Sequence, residues 1–154
     1  MGHPVRLLSA SVDIAAPPAT VWRIVTNVRR TGEWSPECRK VLAPKTIGAG
    51  SRFVGINQRR LMLWPTNAKV VRFTPERELA YRIAENGSTW SYSLEPIDHG
   101  TRLTEAREAA DGITGFAHVF TKLFLGGEAH TSELDDGIRA SLDRIKVIAE
   151  RERP

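Results

Sequence analysis

From Glu37 to Ala109 the chain reads as one strand after another, and for roughly seventy residues no helical period interrupts the pattern. An antiparallel meander is the economical reading of such a stretch. The periodicity predicts strands over 37–43, 51–58, 61–73, 78–85, 88–96 and 100–109. Pro44, Gly48 and Gly50 mark the first break and Pro75 the third. Asn86-Gly87 is a strong hairpin signal, because both residue types tolerate positive φ, and Asp98-His99-Gly100 supplies the next turn. Asn86-Gly87-Ser88 also matches a glycosylation sequon, but the turn already accounts for it.

The flanks of this run differ. Within Arg6–Ala15, Leu8, Ala10, Val12 and Ile14 alternate with Ser9, Ser11 and Asp13, which is the period of a half-buried strand. Ala16-Pro17-Pro18-Ala19 ends that strand, and Pro18 suits a first helical turn, where its missing N–H has no partner to lose. Val21, Ile24, Val25 and Val28 then give a helix an apolar stripe, with its end expected near Thr31-Gly32. After Asp111-Gly112 the period becomes helical again through Ile113, Phe116, Val119, Phe120, Leu123 and Phe124, until Gly126-Gly127 breaks it. A long last helix over about 128–150 carries Leu134, Ile138, Leu142, Ile145 and Ile148 on one stripe. Residues 151–154 are expected to fray.

This order predicts an α+β fold in which a seven-stranded curved antiparallel sheet grips one long C-terminal helix, with short helices after the first strand and before the last helix. At 154 residues the whole chain is read as a single domain. A twisted sheet of that width curls, and one helix about 10–12 Å across cannot fill its concave side. A hollow is expected. Gly137, Ala140 and Ser141 leave the sheet-facing side of the helix small, as if room were kept beside it.

Composition narrows the function classes. Apolar residues at 41% and charged residues at 26% are those of a folded globular chain. The net charge of +4 is a mild excess, and the basic residues Arg23, Arg29, Arg30, Arg39, Lys40, Arg59 and Arg60 lie on different elements, so they read as solvated surface and no nucleic-acid partner is expected. Cys38 is the one cysteine and can form no intrachain disulfide. With no leader-like or membrane-spanning apolar run, a cytoplasmic protein without a transmembrane segment is expected. His3, His99, His118, His130 and Cys38 show no ligand spacing, so neither a metal nor another cofactor is expected. The paired glycines lack a phosphate-loop context, and no nucleophile elbow is present, so nucleophilic catalysis is disfavoured.

Several segments together resemble the helix-grip START-like or SRPBCC superfamily, in particular its polyketide cyclase/dehydrase-like branch. They are Ile14-Ala15-Ala16-Pro17-Pro18-Ala19-Thr20-Val21-Trp22, Trp34-Ser35-Pro36-Glu37-Cys38, Gly50-Ser51-Arg52-Phe53-Val54-Gly55-Ile56-Asn57, and Thr89-Trp90-Ser91-Tyr92 followed by Gly100-Thr101-Arg102-Leu103-Thr104-Glu105. The resemblance spans nearly the whole chain. It implies a deep, mainly apolar pocket between sheet and C-terminal helix, in a superfamily whose members bind lipids, sterols or polyketides and in which a minority catalyse.

Candidate site residues follow from strand parity and from the expected hollow. Trp34, Phe53, Trp64, Tyr81, Trp90 and Tyr92 would offer rings to a flat ligand, with Leu103, Phe120, Leu134 and Ile138 as apolar wall and His118 near the mouth. Asn57 shares parity with Phe53, while Glu105 and Arg107 share parity with Leu103, where carboxylate and guanidinium would pair or address a polar substrate group. Burial of Glu105 would raise its pKa and make it an acid or base. Residues 112–127 would form a lid. The first functional reading is a binder of a hydrophobic small molecule, polyketide-, lipid- or aromatic-like. The alternatives are a cyclase or dehydratase using Glu105 and Arg107, and a protein-interaction module. Oligomeric state, monomer or homodimer, is left open.

Overall fold

Alternation along the first strand survives intact in three dimensions. Leu8, Ala10, Val12 and Ile14 of β1 (Arg6–Ile14) turn inward while Leu7, Ser9, Ser11 and Asp13 stay exposed. The computed structural model describes residues 6–109 and 128–154. The remaining strands are β2 (Cys38–Leu42), β3 (Arg52–Arg59), β4 (Met62–Thr74), β5 (Glu78–Ile83), β6 (Thr89–Ile97) and β7 (Gly100–Ala109). All neighbours pair antiparallel in the order β1-β7-β6-β5-β4-β3-β2. The meander therefore runs from β2 to β7, and β1 closes on β7. The expected helix-grip architecture is present: a curved seven-stranded sheet, short helical segments after β1, and one long helix packed on the sheet.

The first helix is shorter than its apolar stripe implies. Helix α1 (Pro18–Thr26) stops at Asn27, which leaves helical geometry at φ −83 and ψ 76, and the chain continues as a 3-10 turn over Val28–Glu33. Val28 stays buried through this change, so the stripe is kept while the helix is not. The turn is held by Arg29, whose Nε and Nη2 both donate to the Ala43 carbonyl at 2.9 and 2.7 Å.

Helix α2 (Glu128–Glu152) runs two residues past the expected end. Ile138, Leu142, Ile145 and Ala149 are buried from it, and it packs against β1, β7 and α1 rather than across the whole sheet. Its C-terminal half is tied to the corner between β1 and α1. Lys146 Nζ donates to the Asp13 carbonyl at 2.9 Å, the Ala15 amide donates to Glu150 Oε2 at 2.8 Å, and Arg153 Nη1 donates to the Ala15 carbonyl at 3.1 Å. Arg30 bridges Glu33 and Glu152, linking the 3-10 turn to the helix end. Arg153 thus also reaches the corner between β1 and α1. The expected short helix over 112–127 lies outside the described residues.

Three turns hold a non-glycine residue at positive φ, at Arg60, Glu76 and His99. His99 reaches φ 65 at the β6–β7 turn, which delivers Gly100 so close to β1 that a Cβ there would stand 2.0 Å from the Ile14 carbonyl oxygen. That approach also lets Thr101 Oγ1 donate to the Ala16 carbonyl at 2.8 Å. Replacing Gly100→Ala is expected to destabilise the fold by about 2 kcal/mol or more, because backbone must move to relieve the overlap. Thermal denaturation checks it, with Gly48→Ala as the neutral control, since a Cβ there meets nothing within 4 Å.

Candidate functional site

Because α2 covers the β1–β7 side, the concave face of β3 to β6 is left partly uncovered, and a cavity of about 440 Å³ lies there. That volume falls within the roughly 300–1,000 Å³ of ordinary small-molecule sites. Register assembles its wall. Phe53, Gly55 and Asn57 of β3 oppose Ala68, Thr66 and Trp64 of β4, Tyr81 of β5 opposes Trp90 of β6, and Tyr92 and Trp90 oppose Glu105 and Arg107 of β7. From α2 come Leu134, Gly137, Ile138 and Ser141. Gly137 leaves room: a Cβ on it would meet only Pro36 Cγ, at 3.8 Å.

Phe53, Asn57, Trp64, Tyr81, Trp90, Tyr92, Glu105, Arg107, Leu134 and Ile138 all line this cavity. Trp34 and Leu103 do not. Leu103 is fully buried on β7, opposite Val12 and Leu94, towards the end where Thr101 meets the start of α1. Trp34 is core as well, with its carbonyl accepting from Arg144 Nη1 at 3.3 Å. Inward parity identifies the concave face but not which part of it the helix covers. His118 and Phe120 lie outside the described residues, as does the lid expected over 112–127. The cavity also takes in residues not expected there, chiefly Cys38, Val41 and Ile83, together with Arg39, Arg59 and Arg60 at the hairpin side. Val41 and Ile83 carried an inward strand pattern that would have found them.

Aromatic contacts shape the wall. Phe53 and Tyr81 meet edge to face with centroids 5.1 Å apart, and the Arg107 guanidinium lies over the Trp90 ring at 5.9 Å. Among the described residues, the causes that set the Glu105 carboxyl are burial and the Tyr92 hydroxyl, and the pairing expected with Arg107 is not among them. Asn57 Nδ2 donates to Thr66 Oγ1 at 3.1 Å and to the Trp64 carbonyl at 3.4 Å, so the amide is oriented by β4 with its oxygen remaining as an acceptor.

Glu105 is the electrostatic centre of the site. It is 3% exposed, and its Oε1 has no hydrogen-bond partner among the described residues. Burial pushes its carboxyl up to about 8, with the neighbouring Tyr92 hydroxyl acting in the opposite direction. The Tyr92 and Tyr81 hydroxyls are themselves raised, first by burial and then by the Glu105 charge, so both stay protonated donors at neutral pH. The Trp34 indole nitrogen lies near the Tyr92 hydroxyl and eases its ionisation, yet Nε1 closes no hydrogen bond with a described residue. Burial likewise raises the Cys38 thiol, which keeps it un-ionised and a poor nucleophile. The chemistry offered is that of an uncharged carboxylic acid and two phenols on an apolar aromatic wall. Among the described residues no group of three His, Cys, Asp or Glu side chains is placed to hold a metal ion.

The comparisons agree with this architecture. The family described as "Polyketide cyclase / dehydrase and lipid transport" matches residues 6–150, and the chain belongs to it. The Polyketide_cyc-like protein Cgl2372 from Corynebacterium glutamicum is 30% identical, with 97% of this chain and 94% of that one covered at a TM-score of 0.63. The ZhuI aromatase/cyclase from Streptomyces sp. R1128 shares the fold at a TM-score of 0.78 and 18% identity, covering 96% of this chain and 95% of that one. The di-domain aromatase/cyclase StfQ from the steffimycin biosynthetic pathway matches at a TM-score of 0.76 and 15% identity, over 96% of this chain and 51% of its own. No curated protein matches the chain in sequence.

The Glu105 proton couples to stability with a definite sign. The folded state binds this proton more tightly than the unfolded chain, so its stabilisation is full below the ordinary carboxyl value of 4.5 and is lost as pH rises through about 8. Urea unfolding across this range is expected to show the wild-type chain losing roughly 4 kcal/mol relative to Glu105→Gln, whose profile lacks that slope. Parallel profiles would mean that the carboxyl is solvated.

Proposed function

We propose that the chain binds a flat, mainly apolar small molecule bearing a carbonyl or phenolic oxygen, of polyketide-, lipid- or aromatic-like kind, in the cavity between β3–β6 and α2. The observation that carries this reading is Glu105: an uncharged carboxyl on an aromatic wall, with an oxygen that has no partner among the described residues. A buried polar atom left unsatisfied costs free energy that a ligand group can recover. In this reading Glu105 donates its proton to the ligand oxygen, the Asn57 oxygen accepts from a ligand hydroxyl, and Arg107, laid over Trp90, borders the polar end. The rings of Phe53, Tyr81 and Trp90 receive the flat apolar body.

A second reading rests on the same residue. A carboxyl that titrates at about 8 is matched to proton transfer near neutral pH. The ionised form would take a proton from a carbon flanked by two carbonyls of a poly-β-ketone. The enolate carbon would then bond to a distant carbonyl carbon, whose oxygen would receive the proton back from Glu105. The likeness to proteins named aromatase/cyclases supports this reading only at the level of fold.

Native mass spectrometry of the purified protein, searching for a co-purified small molecule, is the first test. Titration with 2-naphthol follows it. Saturable binding is expected, with Glu105→Leu weakening it about tenfold or more through the lost hydrogen bond and Glu105→Gln, still an uncharged donor, retaining it. Absence of both a co-purified molecule and saturable binding would overturn the reading, as would full affinity in Glu105→Leu. The enzyme reading requires that Glu105→Gln abolish turnover of a poly-β-ketone, since an amide cannot cycle the proton.

A further inference from the structure

We propose that the β3–β4 hairpin and the outer face of β2–β4 dock this protein on an anionic phospholipid bilayer. At the hairpin tip Arg60 adopts φ 58, and the next side chain, Leu61, is 99% exposed. Leu63 is 63% exposed and Leu42 53%. Cross-strand register makes these one surface: Leu42 sits beside Val54 and Ile56 beside Pro65 on the face opposite the cavity, and Leu63 pairs with Gln58, which reaches the cavity rim near the hairpin. A protruding aliphatic tip continuous with a half-exposed apolar strip has a cost in water that a partner removes.

Charge identifies the partner. Residues 38–75 contain eight Lys and Arg and no Asp or Glu, against 14 basic and 18 acidic residues in the rest of the chain. Folding brings together on adjacent strands what in the sequence reads as scattered surface charge: Lys40 on β2, Arg52 on β3 and Lys69 on β4 share the outer face, Arg60 stands at the tip, Arg39 and Arg59 lie on the cavity side, and Arg72 pairs with Glu78. Arg39 bonds the neighbouring Gln58, while Glu85 borders the patch through Asn67. Basic side chains around aliphatic ones fit a surface that is negative outside and hydrocarbon within: the leucines enter the interface while Lys and Arg meet headgroup phosphates. Arg59 and Arg60 also border the cavity, so this docking would bring its hairpin side to the bilayer. The proposal stands on the hairpin and holds whatever ligand the cavity takes.

The test is flotation of the full chain with ligand-free vesicles of mixed phosphatidylglycerol and phosphatidylcholine, beside vesicles of phosphatidylcholine alone. Co-flotation is expected with the anionic vesicles only. It should fall at least fivefold in Leu61→Ser/Leu63→Ser and again when salt is raised to about 0.5 M, where screening is strong. Both leucines are exposed and outside the cavity wall, so this variant keeps the fold and any 2-naphthol binding. A Leu61→Cys variant carrying an environment-sensitive fluorophore should shift to the blue on anionic vesicles, Cys38 being buried away from the label. No flotation with anionic vesicles, or equal flotation with neutral ones, would overturn the proposal. So would light scattering that finds a homodimer split by Leu61→Ser/Leu63→Ser, for the face would then pair two copies through the β2 edge.

Discussion

Everything distinctive in this molecule depends on where the long helix is held. Lys146, Glu150 and Arg153 bond the backbone at Asp13 and Ala15, Arg30 grips Glu152, and Leu142, Ile145 and Ala149 are buried beside them. The C-terminal half of α2 is therefore fastened over β1, β7 and α1. Exposed ion pairs contribute little singly, but here they fix orientation on top of apolar burial that supplies the stability. A rod pinned at one side of a curled sheet leaves the other side uncovered by the described helices. The hollow follows from the anchoring and from the small Gly137 and Ser141 on the free half of the helix.

The electrostatics of the site follow from the hollow in turn. Glu105 lies on the sheet where burial among apolar and aromatic side chains removes water. A carboxylate in such a place is costly, so the group keeps its proton towards neutral pH. Arg107, two residues away on the same face, lies with its guanidinium over the Trp90 ring. The same two-residue period that lines up Glu105 and Arg107 also gives each its own cross-strand partner, Tyr92 and Trp90, and those partners set what each side chain does.

Much of this was legible in the sequence, for identifiable reasons. Alternation places β1 and β7 closely, since each strand has one buried face, and it puts Glu105 on the inward side. Turn chemistry at Asn86-Gly87 and at Asp98-His99-Gly100 fixed the hairpins. What parity could not report was the lateral position of the helix, so Leu103 and Trp34 read as cavity wall although they are core. The break at Asn27 was hidden because a 3-10 turn keeps Val28 buried on the same stripe. The basic residues looked dispersed because adjacency of β2, β3 and β4 is a property of pairing, which a linear reading undercounts.

The central claim is that the space beside the free half of α2 is a vacancy, whereas the space beneath its anchored half is filled. Adding the same bulk at both places tests it directly. Gly137→Leu, directed into the hollow, is expected to leave the melting temperature near that of the wild type while displacing 2-naphthol. Ala149→Leu, at a fully buried position of the packed half, is expected to cost about 1–3 kcal/mol from overpacking. If Gly137→Leu proves as destabilising as Ala149→Leu, the region beside β3–β6 is packed interior, and the account is wrong.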